Sequence, residues 1–246
     1  DGGLYDTEKK VDIQVMKMIE DGMDILDVGG YSSRPGASEI SIDEEMDRVI
    51  PVVKFIRRTY PELIISIDTF RSEVARNCLD LGIDIINDIS AGCIDENILD
   101  VVAEYNCPYI MMHMKGTPQT MQNNPEYENL IKELLIYFAK RIYSAREKGI
   151  IDIIVDPGFG FGKTLDHNYT IMKKIQNFKL LDLPILVGIS RKSFITKQLD
   201  IDKKDSLNGT TALNMYFLEK NVNILRVHDV KEAKECIILH EKIKSS

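Results

Sequence analysis

Seven short runs rich in Ile, Val and Leu recur along this chain with helical stretches between them, and each run is apolar throughout rather than alternating. They are MDILDVGG from Met23, LIISIDT from Leu63, IDIINDIS from Ile83, PYIMMHM from Pro108, IDIIVDPG from Ile151, PILVGIS from Pro184 and NILRVHD from Asn223. Unbroken apolar runs suit strands covered on both faces, which are the strands of parallel sheets flanked by helices. Helix signals follow them. Ser41 with Glu44 reads as a capping box, and the stretch ENLIKELLIYFAKRIYSAREKG stops at Gly149. Another helix, TEKKVDIQVMKMIEDG, precedes the first run. This alternation predicts an α/β chain, a (β/α)8 TIM barrel whose first strand and most of whose first loop lie before Asp1; a doubly wound sheet is the alternative. An unpaired barrel edge is a template for aggregation, so residues ahead of Asp1 are expected to supply the strand. Nothing marks an internal boundary, and residues 1–246 read as a single domain.

Composition narrows the function. A net charge of −8 argues against a nucleic-acid binder held by phosphate neutralisation, though not against a local basic pocket. No apolar run approaches the roughly 20 residues that cross a bilayer. The four cysteines, Cys78, Cys93, Cys107 and Cys236, show no C-x-x-C spacing and read as reduced core thiols of a cytoplasmic protein.

Catalytic groups of such barrels sit at the carboxyl ends of strands, so the polar residues closing each run matter most. In order they are Asp27, Asp68, Asn87 with Asp88, His113, Asp156, Ser190 to Lys192, and Arg226 with His228. Asp68, Asn87 and Asp156 form an acceptor-rich set suited to a ring with several N–H donors on one edge. Arg226, His228 and Lys192 suit a phosphate, for which barrels favour the last two loops and a short extra helix, here ISRKSFITKQL. A metal reading of Asp68 and Asp156 is weaker, since no His or Glu stands at ligand spacing. His113, flanked by Met111, Met112 and Met114, reads as packed rather than catalytic; His167 and His240 carry no signal. The segment DPGFGFGKT is not a Walker loop, because Pro157 occupies the place of the first glycine, and its glycine spacing also fails the dinucleotide fingerprint. Its glycines permit a tight turn, and Lys163 reads as solvated.

Together DVGGYSSRPGA, IDTF, IINDISAG, MMHMKGTPQTMQ, DPGFGFGKTLDHNY, GISRKSFI and RVHDV closely resemble the dihydropteroate synthase family of pterin-binding TIM barrels, from Asp1 almost to the chain's end. The resemblance implies condensation of 6-hydroxymethyl-7,8-dihydropterin pyrophosphate with 4-aminobenzoate, with magnesium assisting and sulfonamides competing. It implies that Asp68, Asn87, Asp156 and Lys192 hold the pterin and that Arg226 and His228 bind pyrophosphate. Ser33, Arg34, Pro35, Phe161, Lys192 and Ser193 would form the aminobenzoate site. Lys192, Arg226 and His228 would carry catalysis by stabilising the leaving group. The family's Asn ligand for magnesium falls before Asp1, Asp1 would pair with Arg34 on loop closure, and members are usually homodimers. Where the family often has Glu and Thr, this chain has Tyr31 and Ser33. The rivals are a pterin-binding barrel without turnover and a methyltetrahydrofolate methyltransferase domain; the latter has no use for SSRPGA or the SRK and RVH groups.

Overall fold

A computed structural model describes residues 7–34, 37–121 and 124–246. Among them lies one parallel strand for each apolar run: β1 Ile25–Val28, β2 Ile64–Asp68, β3 Ile85–Asp88, β4 Tyr109–Met112, β5 Ile153–Asp156, β6 Leu186–Gly188 and β7 Ile224–Arg226. The α-helices are α1 Glu8–Glu20, α2 Ile42–Thr59, α3 Ser72–Asp80, α4 Asn97–Tyr105, α5 Leu130–Glu147, α6 Leu165–Lys173, α7 Ser193–Leu199, α8 Leu207–Glu219 and α9 Val230–Lys244. The short α7 is the expected extra helix after β6. The described chain forms two compact units, one of the residues up to Met112 with Lys140–Ile153, the other of His113–Ala139 with Ile154–Ser246. The division falls inside both α5 and β5.

In the first unit β1, β2, β3 and β4 pair in sequence order, with Leu26 opposite Ile65 and Asp68 opposite Asn87. Ile65, Ile67 and Ile86 are fully buried. From α2, Val49, Val53 and Ile56 recur at the spacing of one helical face and are buried as well. At the start of α2 the Ser41 hydroxyl accepts the Glu44 N–H at 3.1 Å, but the Glu44 carboxylate pairs with Arg48 one turn on, so only half of the expected capping box forms. An i,i+4 ion pair competes for that carboxylate.

In the second unit Val155 of β5 bridges Ile185, and β6 pairs with β7, setting Gly188 opposite Arg226. Phe159 packs against Phe217 with ring centroids 5.4 Å apart, and Phe138 against Phe178 at 6.1 Å. Cys78, Cys107 and Cys236 are buried free thiols, whereas Cys93 is exposed and departs from the core reading. Burial pushes the Cys107 thiol up to about 11. Among the described residues no helix is long and apolar enough to cross a membrane.

Candidate active site

The first unit gathers acceptors at its strand ends. Asp68 closes β2 and Asn87 lies beside it in register on β3. The Asn87 side chain is buried, 1% exposed, and its amide Nδ2 donates to Asp27 at 3.1 Å, while Oδ1 meets no hydrogen-bond partner among the described residues. An unmet buried acceptor is costly, so this oxygen suits a donor brought by a ligand. Asp88 has another task. One carboxylate oxygen accepts the Ser90 N–H and hydroxyl, the other the Gly92 N–H and the Tyr109 hydroxyl, and these bonds tie down the β3–α4 turn. Ser33 and Arg34 stand between β1 and α2, Ser33 half-buried and Arg34 exposed; Pro35 and Asp1 lie outside the described residues.

The second unit gathers cations. Asp156 closes β5, 1% exposed; one oxygen accepts the Gly158 N–H at 2.7 Å and the other faces Arg226 Nη2 at 3.3 Å. Carboxylate and guanidinium therefore meet, although the sequence assigned them to separate sets. The guanidinium crosses β6 at Gly188, where a Cβ would approach Arg226 Nε to 3.0 Å. Lys192 donates to the Phe159 carbonyl and stands 4.6 Å from the Phe161 ring centroid. Its neighbour Arg191 is not available to a ligand, because its guanidinium holds Asp229 with two bonds of 2.8 Å. The His228 N–H donates to the Ser190 hydroxyl at 3.3 Å, with the imidazole exposed; Ser193 is exposed at the start of α7.

Lys163 departs most from expectation. Rather than solvated it is 3% exposed, and Nζ reaches the Phe161 carbonyl at 2.9 Å, His113 Nδ1 at 3.0 Å and the His113 carbonyl at 3.3 Å. Three acceptors match three ammonium protons, so with Lys163 charged His113 accepts at Nδ1 and keeps its proton on Nε2. Burial drives the lysine down to about 7 against the attraction of Asp156. Burial first, then Lys163, drives His113 down to about 2. A histidine so poor as a base is packing, as expected, with Tyr137 edge-on at 4.7 Å. The glycine-rich turn owes its shape to crowding: at Gly162, φ +59°, a Cβ would lie 2.9 Å from the Lys115 carbonyl, and the Tyr127 hydroxyl donates to the Gly162 carbonyl at 2.8 Å. His167 also has a role the sequence reading missed, since it completes a capping box with Thr164 at the head of α6.

Among the described residues no three His, Cys, Asp or Glu side chains gather as a metal site. Magnesium commonly takes one or two protein ligands together with substrate phosphates, and the Asn that the resemblance assigns to it falls before Asp1.

Strand ends that carry acceptors in one unit, and cations with a glycine-rich turn in the other, are features of an enzyme for a nitrogenous ring that carries an anionic group. Residues 1–228 match the model of the pterin binding enzyme family, and the chain belongs to that family. It is 42% identical over 234 residues to the dihydropteroate synthase of Synechocystis sp., covering 94% of this chain and 81% of that protein. Against the Escherichia coli dihydropteroate synthase the identity is 40% over 248 residues, with 100% and 87% covered. The solved Yersinia pestis dihydropteroate synthase, in a sulfonamide drug complex, superposes with a TM-score of 0.96 at 34% identity over 100% of this chain and 90% of that one. The chain is accordingly an α/β protein of their TIM-barrel fold class.

Proposed function

We propose that this chain joins 6-hydroxymethyl-7,8-dihydropterin pyrophosphate to 4-aminobenzoate, releasing pyrophosphate and forming 7,8-dihydropteroate. The observation that carries the reading is the buried, partnerless Asn87 Oδ1 next to Asp68, an acceptor pair for a ring N–H edge. Asp68, Asn87, Asp156 and Lys192 take the dihydropterin. Arg226 and His228 take the pyrophosphate. Ser33, Arg34, Pro35, Phe161, Lys192 and Ser193 take the aminobenzoate.

The reaction proceeds by departure before attack. The C–O bond breaks and its electron pair leaves with pyrophosphate; the electron-rich dihydropterin carries the exocyclic cation. The aniline nitrogen then forms the C–N bond and loses its proton to water. Arg226, His228 and Lys192 act by electrostatic stabilisation of the leaving group. Arg226 is already poised: its pairing with Asp156 at 3.3 Å is long enough to be exchanged for a phosphate oxygen. Magnesium is assigned to the substrate pyrophosphate rather than to a protein-only site. A cytoplasmic, single-domain protein and a homodimer complete the proposal; exposed Ile238, Leu239 and Ile243 on α9 support a self-associating face.

The test is pyrophosphate release from the dihydropterin substrate with and without 4-aminobenzoate, then with a competing sulfonamide. Aminobenzoate-dependent dihydropteroate formation, blocked by the sulfonamide, is expected. Pterin binding with no turnover would sink the synthase reading and leave a binding protein.

A further inference from the structure

The loop from Tyr31 to Ile40 is fastened by a residue outside it. Arg71, at the head of α3, has a side chain only 12% exposed. Nη2 donates to the Ile40 carbonyl at 2.6 Å, at the loop's far end, and Nη1 donates to the buried Glu45 carboxylate at 2.9 Å. The guanidinium carbon stands 5.2 Å from the Tyr31 ring centroid, at the loop's near end, and 5.4 Å from that of Phe70. The two rings meet edge to face at 5.0 Å. Thr69 donates to the other Glu45 oxygen at 2.7 Å, and Arg48 holds the Gly30 carbonyl at 3.2 Å. One planar cation thus touches both ends of the segment bearing Ser33 and Arg34, and Tyr31, one of the two departures from the family pattern, supplies an aromatic face for it.

We propose that Arg71 is a positioning residue for 4-aminobenzoate, clamping both ends of the Tyr31–Ile40 loop so that Ser33 and Arg34 are presented in one geometry. The inference rests on the synthase reading for its substrate and on the clamp alone for its mechanics. Arginine suits the task because a flat guanidinium stacks on rings while its edge donates to two acceptors; lysine offers a point charge and cannot do both.

The test uses the full chain with Arg71→Lys, which keeps a cation opposite buried Glu45, and Tyr31→Leu, which removes one ring only. Arg76→Lys serves as control, since Arg76 also pairs with a carboxylate, Glu104, and stands over a ring, Tyr105, but touches no loop residue of this segment. Arg71→Lys is expected to raise the KM for aminobenzoate and the sulfonamide inhibition constant about tenfold, and Tyr31→Leu about threefold, with the KM for the dihydropterin substrate changed less than about twofold. Hydrogen exchange in peptides covering 31–40 is expected to quicken in both variants and not in Arg76→Lys. Equal changes in both KM values, or none, would overturn the clamp. Should the wild-type chain show no aminobenzoate-dependent turnover, the synthase reading fails, and exchange alone decides: faster exchange at 31–40 supports the clamp, unchanged exchange overturns it.

Discussion

The strand ends of the first unit and those of the second handle polar groups in opposite ways. At the ends of β1–β3, among the described residues, side chains pair with one another and leave Asn87 Oδ1 over, fixed by its own amide bond to Asp27; the buried Ser66 hydroxyl, within β2, is also left without a partner. Around β5–β7, cations meet main-chain carbonyls, a ring nitrogen or a carboxylate: Lys192 meets Phe159, Lys163 meets Phe161 and His113, and Arg226 meets Asp156. A fixed leftover acceptor reads the shape of a neutral ring edge. Cations held by exchangeable partners answer to charge that appears or leaves. On the proposed reading, the first arrangement serves recognition and the second the reaction.

The sharpest way to break this contrast is Arg226→Ala, expected to lower kcat/KM about a thousandfold, chiefly through kcat, in steady-state assays with the pyrophosphate substrate. Asn87→Ala removes the leftover acceptor and should weaken dihydropterin binding by about 2 kcal/mol, roughly thirtyfold by calorimetry, with kcat changed only a few-fold. If both variants shift the same parameter, recognition and reaction are not divided in this way.

Lys163 sharpens the contrast through pH. In the unfolded chain it stays protonated to its ordinary value of 10.5, whereas in the fold it releases its proton at about 7. The unfolded state therefore binds more protons between those values, and the wild type gains stability as pH rises through the window. Relative to Lys163→Met, its melting temperature should climb by several degrees from pH 7 to 10, at about 3 °C per kcal/mol for a chain of this size. A pH-independent difference would mean that the buried amine is charged throughout. The smallest effect is expected of Thr164→Ala, which removes a helix cap and should cost about 1 kcal/mol in denaturant unfolding without touching kcat.

Much of the molecule was legible because strand burial writes itself as an apolar run, and a polar residue ending such a run has few reasons to be there. Asp68, Asn87 and Asp156 were found that way. Lys163 was not, since a lysine after a glycine looks solvated until His113, 50 residues earlier, is seen to cover it. The pairing of Arg191 with Asp229 likewise spans 38 positions and separates the arginine from Lys192 although they adjoin in sequence. Glu44 fits a capping box by spacing, yet its partner was decided by Arg48. The Arg226 guanidinium that meets Asp156 also lies close against Gly188, where a side chain would crowd it, a condition carried by neither charged residue. Local pattern picks out the polar residues at strand ends, and long-range packing decides what each one touches.

The interleaving of the two units bears on how the chain is made. Synthesis delivers β1–β4 first, yet the first unit is complete only once Lys140–Ile153 has followed. By then His113–Ala139 has already emerged, ahead of the partners beyond Ile154 with which it packs. Folding on the ribosome therefore cannot proceed unit by unit in chain order, as it does for domains strung end to end. In the middle of the nascent chain Phe138 has His113 and Tyr137 beside it before Phe178, its third ring partner, is made.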